Sequence, residues 1–135
     1  MSDKDLMALA VKAREYSYSP YSHYKVGAAL LTKSGKVYLG CNVENASYTP
    51  TNCAERTAVF KAVSEGEREF CAIAISGGMG NEISKNCTPC GVCRQVLAEF
   101  CDSGFRVITG CIDEISVITL GELLPQSFGK NNLGG

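Results

Sequence analysis

The sequence predicts an α/β domain, a three-layer α/β/α arrangement around a mixed sheet of about five strands, in the order α-β-β-α-β-α-β-β-α. Three observations carry this. Segments whose apolar residues fall every three or four positions alternate with short apolar runs that read as strands. The first two strand-like runs flank a tight turn, so a hairpin makes the sheet mixed. The chain has 135 residues, 45% of them hydrophobic, which suits one domain with its own core.

Each element follows from its local pattern. Residues 3–18 place Leu6, Met7, Leu9, Ala10, Ala13 and Tyr16 at helical spacing, with acidic residues near the start and Pro20 beyond the end. Residues 26–31 and 36–41 flank Thr32-Lys33-Ser34-Gly35 and form the hairpin. Residues 42–50 are a polar loop. Residues 53–65 are the second helix, with Ala54, Thr57, Ala58, Lys61 and Ala62 at helical intervals. Residues 70–75 are apolar throughout and read as a buried strand, after which Gly77-Gly78-Met79-Gly80 opens a loop to Pro89. Residues 91–100 are the third helix, and 106–109 and 115–118 the last strands. Thr119 and Glu122 have capping-box spacing, so a short helix over 120–124 precedes Pro125. The single domain spans 1–135, with 127–135, rich in Gly and Asn, expected to fray. Right-handed crossovers between adjacent parallel strands put the second and third helices on one side of the sheet, where their N-termini can meet.

Composition narrows the function. The net charge is −1 and the isoelectric point about 5.8, which argues against a nucleic-acid footprint. No run approaches the ~20 apolar residues of a membrane span. The N-terminus shows no apolar signal core, so the expected location is the cytoplasm. Eight cysteines in such a setting point to metal or redox chemistry rather than disulfides.

Two motifs concentrate that chemistry. Cys53-Ala54-Glu55-Arg56 opens the second helix, and Pro89-Cys90-Gly91-Val92-Cys93-Arg94 opens the third. Cys90 and Cys93 are neighbours on one helical face. All three thiols fall at helix starts, where the dipole favours thiolate. Three thiolates without a fourth ligand form an open zinc site of the catalytic kind. Their excess negative charge needs an offset, and Arg56 and Arg94 are expected to donate hydrogen bonds to the sulfurs. An alternative counts Cys87 with these three, giving a closed structural site of four thiolates. Cys41, Cys71, Cys101 and Cys111 are expected to be buried thiols. Glu55 has two readings. With Asn52 as N-cap it is the capping-box glutamate; beside a metal it is a proton carrier. His23, the one histidine, lies outside any ligand spacing.

The pattern C-x-E … P-C-x-x-C resembles the zinc deaminase signature, with cysteine in place of its histidine. C-A-E-R-T-A and P-C-G-V-C-R-Q resemble the small cytidine deaminases of the three-cysteine class. So do Ser22-His23-Tyr24-Lys25-Val26-Gly27-Ala28-Ala29-Leu30 and Asn42-Val43-Glu44-Asn45. The resemblance implies one Zn²⁺ per subunit on Cys53, Cys90 and Cys93, with Glu55 as the catalytic proton shuttle. It implies a substrate-binding segment Asn42, Val43 and Glu44, with Asn42 and Glu44 on the sugar hydroxyls. Tyr24, where phenylalanine is common, would line the base pocket, and the backbone of Ala54 would meet the base carbonyl. Phe128 matches an aromatic that reaches a neighbouring subunit's pocket, and Tyr48 is assigned the same role. The implied activity is hydrolysis of cytidine and deoxycytidine to uridine and deoxyuridine with release of ammonia, in pyrimidine salvage. The implied assembly is a homotetramer with active sites at subunit interfaces. Three alternatives stay open: a deaminase for another cytosine compound such as blasticidin S, a nucleic-acid-editing deaminase, and a non-enzymatic four-cysteine zinc domain.

Overall fold

The computed structural model of the chain describes residues 1–134. Its elements are α1 (Asp3–Arg14), β1 (Tyr24–Thr32), β2 (Val37–Cys41), α2 (Ala54–Ser64), β3 (Phe70–Met79), α3 (Gly91–Phe100), β4 (Arg106–Cys111), β5 (Glu114–Thr119) and α4 (Leu120–Leu123). A 3-10 turn, Lys130–Leu133, stands within the stretch predicted as a tail. The five strands form one sheet in the order β2-β1-β3-β4-β5. Only β3 and β4 run parallel; the other neighbours are antiparallel.

Strand alternation sorts the core into two layers, because successive side chains point to opposite faces. Ala29, Ala72, Ala74 and Ile108 face α1, where they meet Leu6, Met7 and Ala10. Ala28, Leu30, Ile73, Ile75 and Val107 face the other side, where Ala54, Ala58, Val59 and Ala62 of α2, Leu97 of α3 and Leu120 of α4 cover them. One helix therefore covers one face and three cover the other. Ser2 caps α1 in a reciprocal pair with Asp5, and Thr119 caps α4 in the same way with Glu122.

Two glycines set how closely helices approach the sheet. A Cβ on Gly27 would lie 2.1 Å from the Ala10 carbonyl oxygen, and one on Gly40 would lie 2.4 Å from that of Ala54. The end of α1 and the start of α2 thus rest directly on strand backbone.

Some expectations need correction. β1 lies between β2 and β3, so α2 does not join adjacent parallel strands. It shares a face with α3 all the same, because both bury their apolar sides on it. β3 runs on through Gly77 and Gly78, which the sequence assigns to a loop; β1 begins at Tyr24 and pairs with it as far as Met79. The four cysteines expected to be buried are not: Cys71 is exposed, and Cys41, Cys101 and Cys111 are half-buried. They sit near strand and helix ends, where the covering layers stop.

Candidate active site

The starts of α2 and α3 meet, and three thiols meet with them. Cys53 is the N-cap of α2 and Cys90 the N-cap of α3, both with extended backbones and neither side chain capping its helix. Their sulfurs are therefore free to face each other. Cys53 Sγ lies 3.7 Å from Cys90 Sγ, and Cys90 Sγ lies 3.4 Å from Cys93 Sγ. Zn–S bonds of about 2.3 Å in a tetrahedron require sulfurs about 3.8 Å apart. The cluster fits that ion with little adjustment, and it leaves one side open, since Cys90 is exposed, Cys53 half-buried and Cys93 buried.

Charge is shared unequally among these thiols. Hydrogen bonds from Cys93 and from Arg56 pull the Cys53 thiol down to about 5. The same pairing with Cys53, together with burial, pushes Cys93 up. Arg56 Nη2 donates to Cys53 Sγ at 3.2 Å. Its Nε is buried without a partner. A guanidinium beside thiolates offsets the negative charge that would weaken a bound metal as an electrophile.

Arg94 does not join it. Its guanidinium donates to the Pro89 carbonyl at 2.7 Å, the Leu123 carbonyl at 2.8 Å and Thr88 Oγ1 at 3.3 Å. One residue beyond Cys93 on a helix is a rotation of about 100°, which turns Arg94 away from the sulfurs and towards α4. It braces the turn before Cys90 instead.

Glu55 is second in α2, not third, because Cys53 rather than Asn52 is the N-cap. The capping-box reading therefore fails. Asn52 instead donates from Nδ2 to Thr57 Oγ1 at 3.0 Å. Glu55 lies on the buried stripe with Ala58, Val59 and Ala62 and is 5% exposed. Burial raises its carboxyl to about 7, and the Cys53 charge adds to the effect. A carboxyl poised near neutrality beside a metal site is suited to taking and returning protons.

A cleft of about 310 Å³ opens above these groups, at the small end of the range of about 300–1,000 Å³ for ligand sites. Cys53, Ala54, Glu55 and Cys90 line it together with Tyr24, Cys87, Asn42 and Glu44. Asn42 cross-links the cleft base: its Nδ2 donates to the Tyr24 carbonyl at 2.8 Å, and its Oδ1 accepts from Val26 N at 3.0 Å. Glu44 accepts from the Ser22 hydroxyl and from the backbone N–H groups of Tyr21 and Ser22 at 3.0 and 3.1 Å. These bonds, the Ser22 hydroxyl foremost, hold its carboxyl below the usual range.

Other expected residues fall outside the cleft walls. Val43 contributes backbone only, bridging Tyr18 and Asn52, with its side chain 44% exposed. Tyr48 lines an adjoining cavity, edge-on to Tyr21 with ring centroids 6.3 Å apart. Phe128 is 60% exposed, and its carbonyl accepts from Gln95 Nε2 at 2.8 Å. His23 is an exposed loop residue with φ 60°.

Cys87 stands apart from the thiol cluster. Its Sγ occupies a notch over Gly77, where a Cβ would come within 2.4 Å. The closed four-thiolate reading has no geometric support. Tyr24 faces Cys87, and burial raises its hydroxyl to about 12. Ser22, Thr51, Asn86 and Thr88 also line the cleft. They are ordinary loop polar residues, and nothing local marks them.

Three thiols and one buried glutamate at two helix starts on one face of a mixed sheet define a site built for metal-assisted hydrolysis. Residues 1–110 match the family model described as cytidine and deoxycytidylate deaminase zinc-binding region, and the chain belongs to that family. It is 48% identical to a cytidine deaminase of Sporosarcina psychrophila, over 98% of this chain and 96% of that one. It is 50% identical to one of Halalkalibacterium halodurans, over 98% of each. Among solved structures, the cytidine deaminase of Burkholderia pseudomallei superposes with a TM-score of 0.84 at 47% identity, covering 95% of this chain and 100% of that one. That of Mycobacterium tuberculosis gives 0.79 at 39%, covering 96% and 98%. Among the described residues no helix is long and apolar enough to cross a membrane.

Proposed function

We propose that the protein is a cytidine deaminase that converts cytidine and deoxycytidine to uridine and deoxyuridine, taking up water and releasing ammonia. One observation carries the reading. A buried carboxyl, raised to about 7, lies two residues from a thiol of a zinc-sized cluster at the floor of a nucleoside-sized cleft.

Cys53, Cys90 and Cys93 would hold one zinc ion per subunit, which supplies a Lewis acid that makes water nucleophilic near neutral pH. Glu55 takes a proton from the attacking water and gives it to the ring nitrogen beside the amino-bearing carbon. It then carries the remaining proton of that water, from the hydroxyl now on the ring carbon, to the departing amino group, which leaves as ammonia while the carbonyl forms. Arg56 tempers the thiolate charge. Tyr24 offers a ring face to the base, and the Ala54 backbone meets its carbonyl. Asn42 retains one Nδ2 hydrogen beyond its bond to Tyr24, and Glu44 is held ionised; both suit sugar hydroxyls. A carboxylate at the cleft mouth and a net charge of −1 favour a free nucleoside over a nucleic acid.

Exposed Tyr48 and Phe128 support a homotetramer in which they complete a neighbour's cleft. Eight unpaired cysteines suit a reducing cytoplasm. With a free pyrimidine nucleoside as substrate, the reaction would belong to pyrimidine salvage.

The test is the ultraviolet band of cytidine mixed with zinc-loaded protein, beside Glu55→Gln. Wild type is expected to abolish the band, while Glu55→Gln keeps its zinc and loses about 10²–10⁴-fold in turnover. A folded, zinc-loaded wild type that leaves cytidine unchanged would refute the substrate. Near-normal turnover by Glu55→Gln would refute the role of the glutamate.

A further inference from the structure

We propose that Arg14 is a positioning residue for the cleft wall, tying the strand that bears Tyr24 to the segment that delivers Cys87 and Cys90. Its kinetic arm rests on the cytidine deaminase reading; its structural arm does not.

Arg14 ends α1 on the apolar stripe of Leu6, Ala10 and Ala13 and is 7% exposed. A charge on a buried stripe is costly unless each donor is met. No carboxylate pairs with it among the described residues. Four backbone carbonyls meet its Nε and Nη2 instead, the two Nη2 hydrogens being shared among three of them. Nε donates to Lys25 at 2.9 Å. Nη2 donates to Gly78 and Gly80, each at 3.0 Å, and to Glu82. The guanidinium is a planar fork with fixed donor directions. Nε on one segment and Nη2 on the other therefore set where the two segments sit relative to each other.

Lys25 follows Tyr24, whose ring is on the cleft wall. Gly78, Gly80 and Glu82 form the turn that folds back over the end of β3. That turn packs tightly: a Cβ on Gly78 would lie 2.1 Å from the Glu82 carbonyl oxygen. Gly80 N donates to His23 O at 2.8 Å, and Ser84 N to Gly77 O at 2.7 Å. From the turn the chain runs directly to Asn86, Cys87 and Thr88 on the cleft wall, and to Cys90. Tyr24 and Cys87 line the cleft together. Tyr24, Asn86, Cys87 and Thr88 form one wall, and Arg14 is the post behind it.

The groups assigned to chemistry have other anchors. Glu55 and Arg56 ride on α2, which packs on β2 at Gly40. The start of α3 is braced by Arg94 on Pro89 and Leu123. Loss of Arg14 should thus loosen substrate binding more than the chemical step.

The experiment compares Arg14→Met, which keeps length without donors, and Arg14→Lys, which keeps charge without the fork. Readouts are amide hydrogen exchange over residues 79–88, zinc content, KM and kcat for cytidine. For Arg14→Met the expected result is faster exchange confined to that segment, full zinc, KM raised about tenfold and kcat within about threefold. Arg14→Lys should fall between. If Arg14→Met does not fold, the same split in Arg14→Lys decides. Unchanged exchange and KM in a folded variant would overturn the proposal. So would zinc, kcat and melting temperature falling together with KM, since that is the mark of a simple core residue. A wild type inert on cytidine would remove the functional reading and leave the exchange data to judge Arg14.

Discussion

Replacing Gly40 by alanine adds a single methyl group at the point where β2 carries the start of α2. That methyl carbon would lie 2.4 Å from the Ala54 carbonyl oxygen, 2.6 Å from Ala58 N and 3.1 Å from Ala58 Cα. All three are backbone atoms of one helix, so no side chain can swing aside. Ordinary contact begins at 3.4 Å, so the first turn of α2 must move by about 1 Å. Overpacking of this kind costs about 1–3 kcal/mol, or roughly 4 °C of melting temperature per kcal/mol at this chain length. Cys53 and Glu55 sit on the turn that moves. A displacement of about 1 Å at reacting groups costs about 10²-fold in rate. Calorimetry and the cytidine absorbance assay together check this. Gly35→Ala is the control: Gly35 has φ 92° in an open turn with nothing within 4 Å. It should lose about 1 kcal/mol of stability from backbone strain and no activity. Gly40→Ala with wild-type melting and turnover would refute the idea that close approach at this strand sets the site.

Two further outcomes follow from the site. Arg56→Gln removes the cation beside Cys53 and should weaken zinc retention about 10–100-fold in a chelator competition, with the fold intact. Glu44 has its carboxyl held below the ordinary glutamate value of 4.5, so its charged form is the one the loop stabilises. The grip on Tyr21 and Ser22 is therefore complete above that value and is lost only as pH falls through the depressed one. The gain in uridine binding of wild type over Glu44→Gln, measured by calorimetry at each pH, should stay constant from neutrality down to 4.5, since other groups in the cleft titrate alike in both proteins; a gain that shrinks above 4.5 would contradict the assignment.

The thiol cluster was legible because its information is local. C-x-E and P-C-x-x-C at helix starts place sulfurs and carboxylate by helical geometry alone, and α3 begins and ends at the residues its pattern predicts. The cap of α2 was misjudged by one residue, which moved Glu55 out of a capping box and left it free for other work. Arg94 could not be aimed from sequence, since one step along a helix separates the thiol cluster from the groove against α4. Strand order was hidden as well: a hairpin pattern pairs β1 with β2 but does not say which strand takes β1's other edge. Arg14 left one trace, a charge on an apolar stripe. Its partners left none, because they are main-chain carbonyls up to 68 residues away, and every residue has one.

The use of cysteine as the N-cap of both α2 and α3 bears on the order in which the molecule assembles. An oxygen-bearing cap adds about 1 kcal/mol to a helix start, and these two helices do without one. Their first N–H groups remain unclaimed by a cap side chain. α1 and α4, each with a reciprocal cap, have no such shortfall. Without the ion, the first turns of α2 and α3 are the parts of the chain expected to melt first on warming. A preparation stripped of zinc would then keep its sheet and its first helix while losing order at the floor of the cleft, and it would regain that order only as metal returned.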